Sequence, residues 1–446
     1  MESNDTTTPF ANPPNEQRDG FIEGISRHYP LSEEMIARYE DQWDWKGLSR
    51  NEALPWDGEL ITRFEDRWDW EKLSENEALP WTEELIERFE SQWDWEWLSR
   101  NDALPWSEEL IAYYEDRWGF VTLSRSEALP WSEELIARYE DQWDWEKLSR
   151  NEALPWSEDL ITHYEDRWDW LELSRNESLL WSEDLIARYE DRWEWAELAM
   201  NEALPWSEEL IARFEGRWDA GGLEVEDNWD MLGGNEALPW TEDLIEQYED
   251  QWGWIGSDAL PGNEALPWSE ELIAKYEDRW GNSMIGTWDT LSENEALPWT
   301  EDLIERYENQ WEWSRFDSLS GNEALPWSEE LIARYEDRWD WEELSENEAL
   351  PWSEELIARY ENRWDWEELS ESEALPWSEE LIARFEDRWE WSGVFSLSYN
   401  RGLPWSKELI ARFESRWNWS GLPSEALTRL TPDHIRQIMS NFDQQP

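Results

Sequence analysis

Trp56, Trp81, Trp106, Trp131, Trp156, Trp181 and Trp206 stand 25 residues apart, each at the same place in one short repeated unit. Fifteen copies, read from Leu31 to Trp417, fill most of the 446 residues. A fixed period of this length does not suit a globule built round one central core. It predicts a stack in which each unit buries its apolar face on its neighbours. One copy, residues 129–153, reads LPWSEELIARYEDQWDWEKLSRNEA.

Each unit must bring its own core, and tryptophan supplies it. The chain has 44 Trp, about three per unit, matching the three Trp positions of the repeat. Indole rings bury a large area per residue, so they are spent on a repeated core rather than on one special pocket. The net charge of −72 is spread along all the units. Phosphate binding needs clustered Lys and Arg, so this charge argues against direct nucleic-acid binding and against anionic membranes. Basic proteins, polycations and divalent metals stay compatible with it. Without cysteine there is no disulfide, thiolate nucleophile or Cys-based zinc site, which fits a reducing compartment. Residues 1–20 lack a signal-peptide core, and no run approaches the ~20 apolar residues of a membrane helix. A cytoplasmic location is expected.

In the copy that begins at Trp131, Ser132 is expected to cap a helix. Ser, Thr or Asp holds this position in all fifteen units, and such side chains accept a hydrogen bond from a free first-turn N–H. Glu133 and Glu134 follow, where negative charge suits the helix dipole. Pro130 keeps the entering chain extended. Leu135, Ile136, Tyr139 and Trp143 then share one buried stripe of a helix about 12 residues long. The far side, at Ala137, varies to Thr62, Glu87, Thr162 and Glu246, as a solvated position does.

Two polar positions beside the stripe are more constrained. Glu140 recurs as Glu in every unit, as in Glu165, and Gln142 recurs as Gln or Arg, as in Arg167. Stacking should bring the Glu of one unit beside the Arg or Gln of the next. The exchange of Arg with Gln points to hydrogen-bond donation as the shared property. Replacing Glu140 with Gln is then expected to lower stability. Asn151 and Asn176 belong to a third such position, occupied by Asn except at Ser126 and Ser372. Its expected work is to satisfy backbone groups left bare between segments.

The second half of the unit, Trp143 to Pro155, spaces Trp145, Leu148, Asn151 and Leu154 by three. That spacing suits a short 3₁₀ or irregular helix. The expected fold is therefore an all-α repeat, an α-solenoid of about 15 units, each one α-helix plus a short 3₁₀ or irregular helix. The alternative is a leucine-rich-repeat-like α/β solenoid with a very short strand at Trp143–Trp145. Sequence rich in Glu and poor in β-branched residues disfavours that strand.

The Trp-Asp-Trp-x-x-Leu-Ser-x-Asn…Leu-Pro-Trp-Ser pattern, over nearly all of residues 29–419, resembles a Trp-rich tandem repeat of uncharacterised, mostly bacterial proteins. The resemblance implies no activity. The helix-plus-3₁₀ plan also resembles leucine-rich variant repeats, in architecture alone.

Beyond Trp206 the spacing lengthens, and every insertion falls between the Trp that ends the helix and the next Leu-Pro-Trp. Insertions at one point of a solenoid unit emerge on one face. Ala220 and Asn282 stand where the second Trp is expected. Trp229, Trp288 and Phe316, in these loops, are the candidate partner contacts. The expected organisation is a disordered tail over 1–28, then a solenoid over 29–419 with loop insertions in 219–322 and 392–400. A C-terminal helical cap over 420–446 follows, with Ile435, Ile438 and Met439 covering the last unit's core.

No catalytic residue emerges. His28, His163 and His434 are the only histidines, and near-identical units create no single site with separated pKa values. No cofactor or metal motif appears. The expected function is a non-catalytic acidic repeat scaffold that mediates protein–protein interaction, with a basic protein as partner. One alternative is a DNA mimic. About five charges per unit at a helix spacing of ~9 Å gives roughly one per 1.9 Å, near the ~1.7 Å of duplex DNA. Another is a divalent-cation-binding array on Glu140, Asp141 and Asp144, which Gly216, Ser91 and Ser415 interrupt at the Asp141 position.

Overall fold

A computed structural model describes residues 18–218, 228–254, 259–280, 287–314 and 318–442. Among the described residues every regular element is a helix, and no strand occurs at Trp143–Trp145 or elsewhere. The fold is an α-solenoid. The chain forms two compact units, one made of Met1–Pro105 with Trp352–Pro446, the other of Trp106–Pro351.

Within a repeat, Ser132 is extended (φ −147°, ψ 159°) and its hydroxyl accepts from the Leu135 N–H at 3.0 Å. The helix it starts, Glu133–Arg138, has six residues rather than 12. Tyr139 leaves helical geometry at φ −119°, ψ 27°. The turn that follows brings the Trp143 indole back to donate to the Ile136 carbonyl at 3.2 Å. A helix end normally leaves such carbonyls bare, and here the indole satisfies one of them. Trp145 donates in the same way to the Glu140 carbonyl at 2.9 Å.

The second half of the repeat is an α-helix, Trp145–Arg150, where the spacing suggested 3₁₀. Asp144 caps it by accepting from Lys147 N–H, a signal hidden in the Trp-Asp-Trp run. A 3₁₀ turn stands at Leu260–Gly262 instead of this helix. Leu-Pro-Trp closes the unit with a three-residue turn. Trp156 N–H donates to the Leu154 carbonyl at 2.7 Å, and the fixed φ of the intervening proline suits that geometry. Leu180 takes the proline's place in one copy, keeps the bond from Trp181 to Leu179 and stays exposed.

Leu135, Ile136, Tyr139, Trp143 and Leu148 are all buried. Units join through rings. Trp145 lies 4.8 Å from Tyr164 and 4.9 Å from Trp168 of the next unit, centroid to centroid.

The N-terminal end of the solenoid differs from expectation. Residues 18–28, expected to be disordered, form the helix Arg18–His28 with Phe21, Ile22 and Ile25 buried. It stands in for a second helix. Asp44 N–H donates to Ser26 Oγ and Asn51 donates to the Ser26 carbonyl, as Asp69 and Asn76 do to Ser49. The remainder of the expected tail, 1–17, lies outside the described residues. At the other end Pro432–Phe442 buries Ile435, Ile438 and Met439. The two chain ends also meet inside the first compact unit. Phe21 packs edge-on to Trp419 at 5.3 Å, and the Tyr29 hydroxyl donates to the Leu430 carbonyl at 3.2 Å. Gly24 is needed there, because a Cβ would stand 2.6 Å from the Trp419 carbonyl oxygen.

Candidate interaction surface

Four chains of contacts run from unit to unit, and they sort by burial. The innermost is asparagine. Asn151 donates to the carbonyls of Ser124 (3.1 Å) and Ser126 (3.0 Å), and its own oxygen accepts from Ala153 N–H at 2.9 Å. Asn176 repeats this one unit on, donating to Ser149 at 2.9 Å. Both side chains are buried. A serine chain runs alongside: Ser149 donates to the Trp145 carbonyl at 2.7 Å and accepts from Asp169 N–H of the next unit at 2.9 Å.

The outer chains are ionic. Arg167 reaches back to the Glu140 carboxylate at 3.2 Å, the Glu140 carbonyl at 3.1 Å and Asp141 at 2.9 Å. Its guanidinium sits 5.5 Å from the Trp145 ring centroid, so the half-exposed indole is roofed by a cation. Arg192 bonds the Glu165 carbonyl at 2.9 Å and Asp166 at 3.0 Å. Gln142 lies on the same exposed edge and, among the described residues, makes no side-chain hydrogen bond. Donation by Gln is therefore not what this position shares there.

A second ionic chain went unforeseen. Arg188 pairs with Glu158 and Arg213 with Glu183, each at 2.9 Å. The repeated Arg that ends the first helix was the available signal, but only the stacking offset shows which Glu it meets. These pairs are exposed on both sides, and exposed pairs contribute little. Glu140→Gln is accordingly expected to shift the melting temperature slightly, with the shift vanishing in high salt. A salt-independent loss would contradict the exposed geometry.

Glu414 breaks the pattern. It is the last of the recurring glutamates, is 8% exposed, and its Oε1 finds no hydrogen-bond partner. Burial pushes its pKa up from 4.5 to about 7. A carboxyl raised in the folded state contributes its full stability below the unfolded value of 4.5 and loses it as pH rises towards 7. Glu414→Gln should remove that loss. The variant is expected to match the parent's melting temperature at pH 4 and exceed it at pH 8, and parallel pH profiles would refute the assignment.

Trp229 and Trp288, expected to be exposed partner contacts, are core residues, 1% and 7% exposed. Trp229 packs 5.0 Å from Tyr248, and Trp288 packs 5.1 Å from Tyr307. They occupy the slot that Trp145 fills in other units. The insertion displaces the second Trp along the chain, so Ala220 and Asn282 do not mark its loss. Phe316 lies outside the described residues. In the insertion at 392–400, Val394 and Phe395 are exposed.

Among the described residues no group of three or more His, Asp or Glu is placed to hold a metal ion. No described helix is long and apolar enough to cross a membrane. Compared with known protein families, curated proteins and solved structures, the chain matches none of them.

Proposed function

We propose that the chain is a non-catalytic repeat scaffold whose acidic surface engages basic protein partners. One observation carries this reading. Within the second compact unit Asp141, Asp166, Asp191 and Asp250 stand at one register, their side chains 83–91% exposed, each touched on one side by an arginine of the next repeat. A single exposed carboxylate binds weakly. Carboxylates repeated at fixed intervals sum to a field that steers and orients a cationic partner. The same regularity favours a narrower second reading, in which the partner is a nucleic-acid-binding protein and the carboxylates take the place of phosphates. The net charge of −72 itself repels nucleic acid. The cytoplasm is the proposed location, and the resemblance to mostly bacterial repeats suggests a bacterial source.

The test is a titration with polylysine of the parent chain and of a variant carrying Asp141→Asn, Asp166→Asn and Asp191→Asn. Binding should weaken about tenfold or more between ~50 and ~200 mM salt, and the variant should show a shallower salt slope. Salt-independent binding, or an unchanged slope, would reject the acidic surface as the contact. Displacement of a basic partner by duplex DNA would select the narrower reading.

A further inference from the structure

Several basic side chains gather where the chain ends meet. A cleft of about 490 Å³ there is lined by Arg27 and His28 from the N-terminal helix and Arg50 and Lys72 from the first two second helices. Ser424, from the C-terminal segment, completes it across the joint. Arginines elsewhere in the chain are mostly tied to glutamates of the preceding repeat. Arg27 is one of the exceptions, with Arg38, Arg88, Arg125 and Arg138: among the described residues it makes no ion pair, and neither does Arg401 beside His28. Arg50 is only loosely held, its Nε 3.9 Å from Glu75. Lys72 is the exception in the cleft, since its ammonium contacts Glu71 and Glu75 at 2.6 Å each.

We propose that this cleft binds a small polyvalent oxyanion, phosphate or carboxylate in chemistry, gripped by the Arg27 and Arg50 guanidiniums across the joint between the chain ends. Planar guanidinium forks match the paired oxygens of either group. Ser424, whose hydroxyl donates to Glu425 at 3.2 Å, borders the cleft on the C-terminal side. A monovalent anion cannot span both arginines, whereas Glu52 and Glu75 on the wall oppose any anion and limit the affinity. The local field agrees with this. His28 titrates below its ordinary value through burial first, then through Arg27 and Arg401, against which Glu425 is the one opposing charge.

The repeat provides an internal control. Three periods along, the corresponding groove at Arg125, Glu127, Glu146, Lys147, Arg150 and Asn151 holds about 300 Å³. It has no counterpart of Arg27, His28 or Ser424. Its Arg150, which stands where Glu75 does, is held by Glu172 at 2.7 Å, and its Lys147 by Asp144, whereas Arg125, the counterpart of Arg50, makes no ion pair among the described residues. The two grooves therefore differ in the residues that the chain ends add to the first, Arg27, His28 and Ser424.

The experiment is calorimetric titration of the full chain with pyrophosphate and, separately, citrate at fixed ionic strength. Saturable one-site binding of either probe is expected, with pyrophosphate alone assigning a phosphate ligand and citrate alone a carboxylate one. Arg27→Gln and Arg50→Gln should each weaken it about tenfold, the loss of one charge-assisted contact, while Arg125→Gln leaves it unchanged. The His28 imidazole, followed by NMR, should titrate at higher pH once the probe is bound. No saturable binding of either probe would overturn the proposal. So would binding that Arg27→Gln and Arg50→Gln leave intact, or a His28 titration indifferent to the probe.

Discussion

Trp168→Ala is expected to destabilise the protein by about 3–5 kcal/mol. The ring is 5% exposed and stands at the seam between two repeats. It packs 4.9 Å from Trp145 of the preceding unit, 5.0 Å from Trp156 and 6.1 Å from Tyr164. Its removal leaves a cavity among aromatic rings that cannot close without moving two units apart. It also strands the Ile161 carbonyl, which accepts from the indole at 3.2 Å. Trp168→Phe loses the donor but keeps part of the ring contact, so its effect should fall clearly below that of alanine. Urea denaturation followed by circular dichroism measures both. A loss under ~1 kcal/mol for the alanine variant would place the ring outside the core.

Asn176→Ala is the second large effect, at about 2–4 kcal/mol. The side chain is 3% exposed and both donates and accepts. Its amide donates to Ser149, one unit back, and its oxygen accepts from Ser178 N–H at 2.9 Å, within its own turn. Alanine leaves both backbone groups buried and unpaired. Serine is milder for a visible reason. Ser126 and Ser372 occupy this position naturally and accept from Ala128 at 3.2 Å and Ala374 at 3.3 Å, preserving the bond within the turn. Aspartate should be as damaging as alanine, because a carboxylate would face the Ser149 and Asn151 carbonyls that now receive the amide. Melting temperatures should therefore fall in the order parent, serine, then alanine and aspartate together. An aspartate variant as stable as the parent would contradict the donor geometry.

Much of this architecture was legible because repetition averages out local ambiguity. Fifteen capping residues at one register locate the first helix, and a stripe of Leu, Ile, Tyr and Trp gives its buried face. What stayed hidden depended on side chains acting on backbone. The first helix was read as twice its length because Tyr139 and Trp143 continue the apolar stripe through a turn. Nothing in periodicity reveals that the Trp143 indole caps a carbonyl there. Asp144 likewise reads as one more acidic residue until its place before Trp145 makes it a cap. Trp229 and Trp288 were misread for a related reason. Counting along the chain places them in loops, whereas the aromatic slot they fill is defined by Tyr248 and Tyr307 of the next unit. The N-terminal helix was missed because it keeps only Ser26 and Arg27 of the repeat and none of its tryptophans. For the surface, the recurring Glu140 was visible, but which carboxylates face water at Asp141 and its equivalents follows from the stacking offset alone.

Indoles turned inward at every repeat hold the stack together, and acrylamide quenching of tryptophan fluorescence tests this most directly. Acrylamide is neutral, so the charge of −72 does not repel it as it would iodide. The folded chain should quench several-fold less steeply than the same chain in concentrated urea, with its emission shifted to the blue. Equal quenching in the two states would mean that the rings face water and that the repeats are not held together as described.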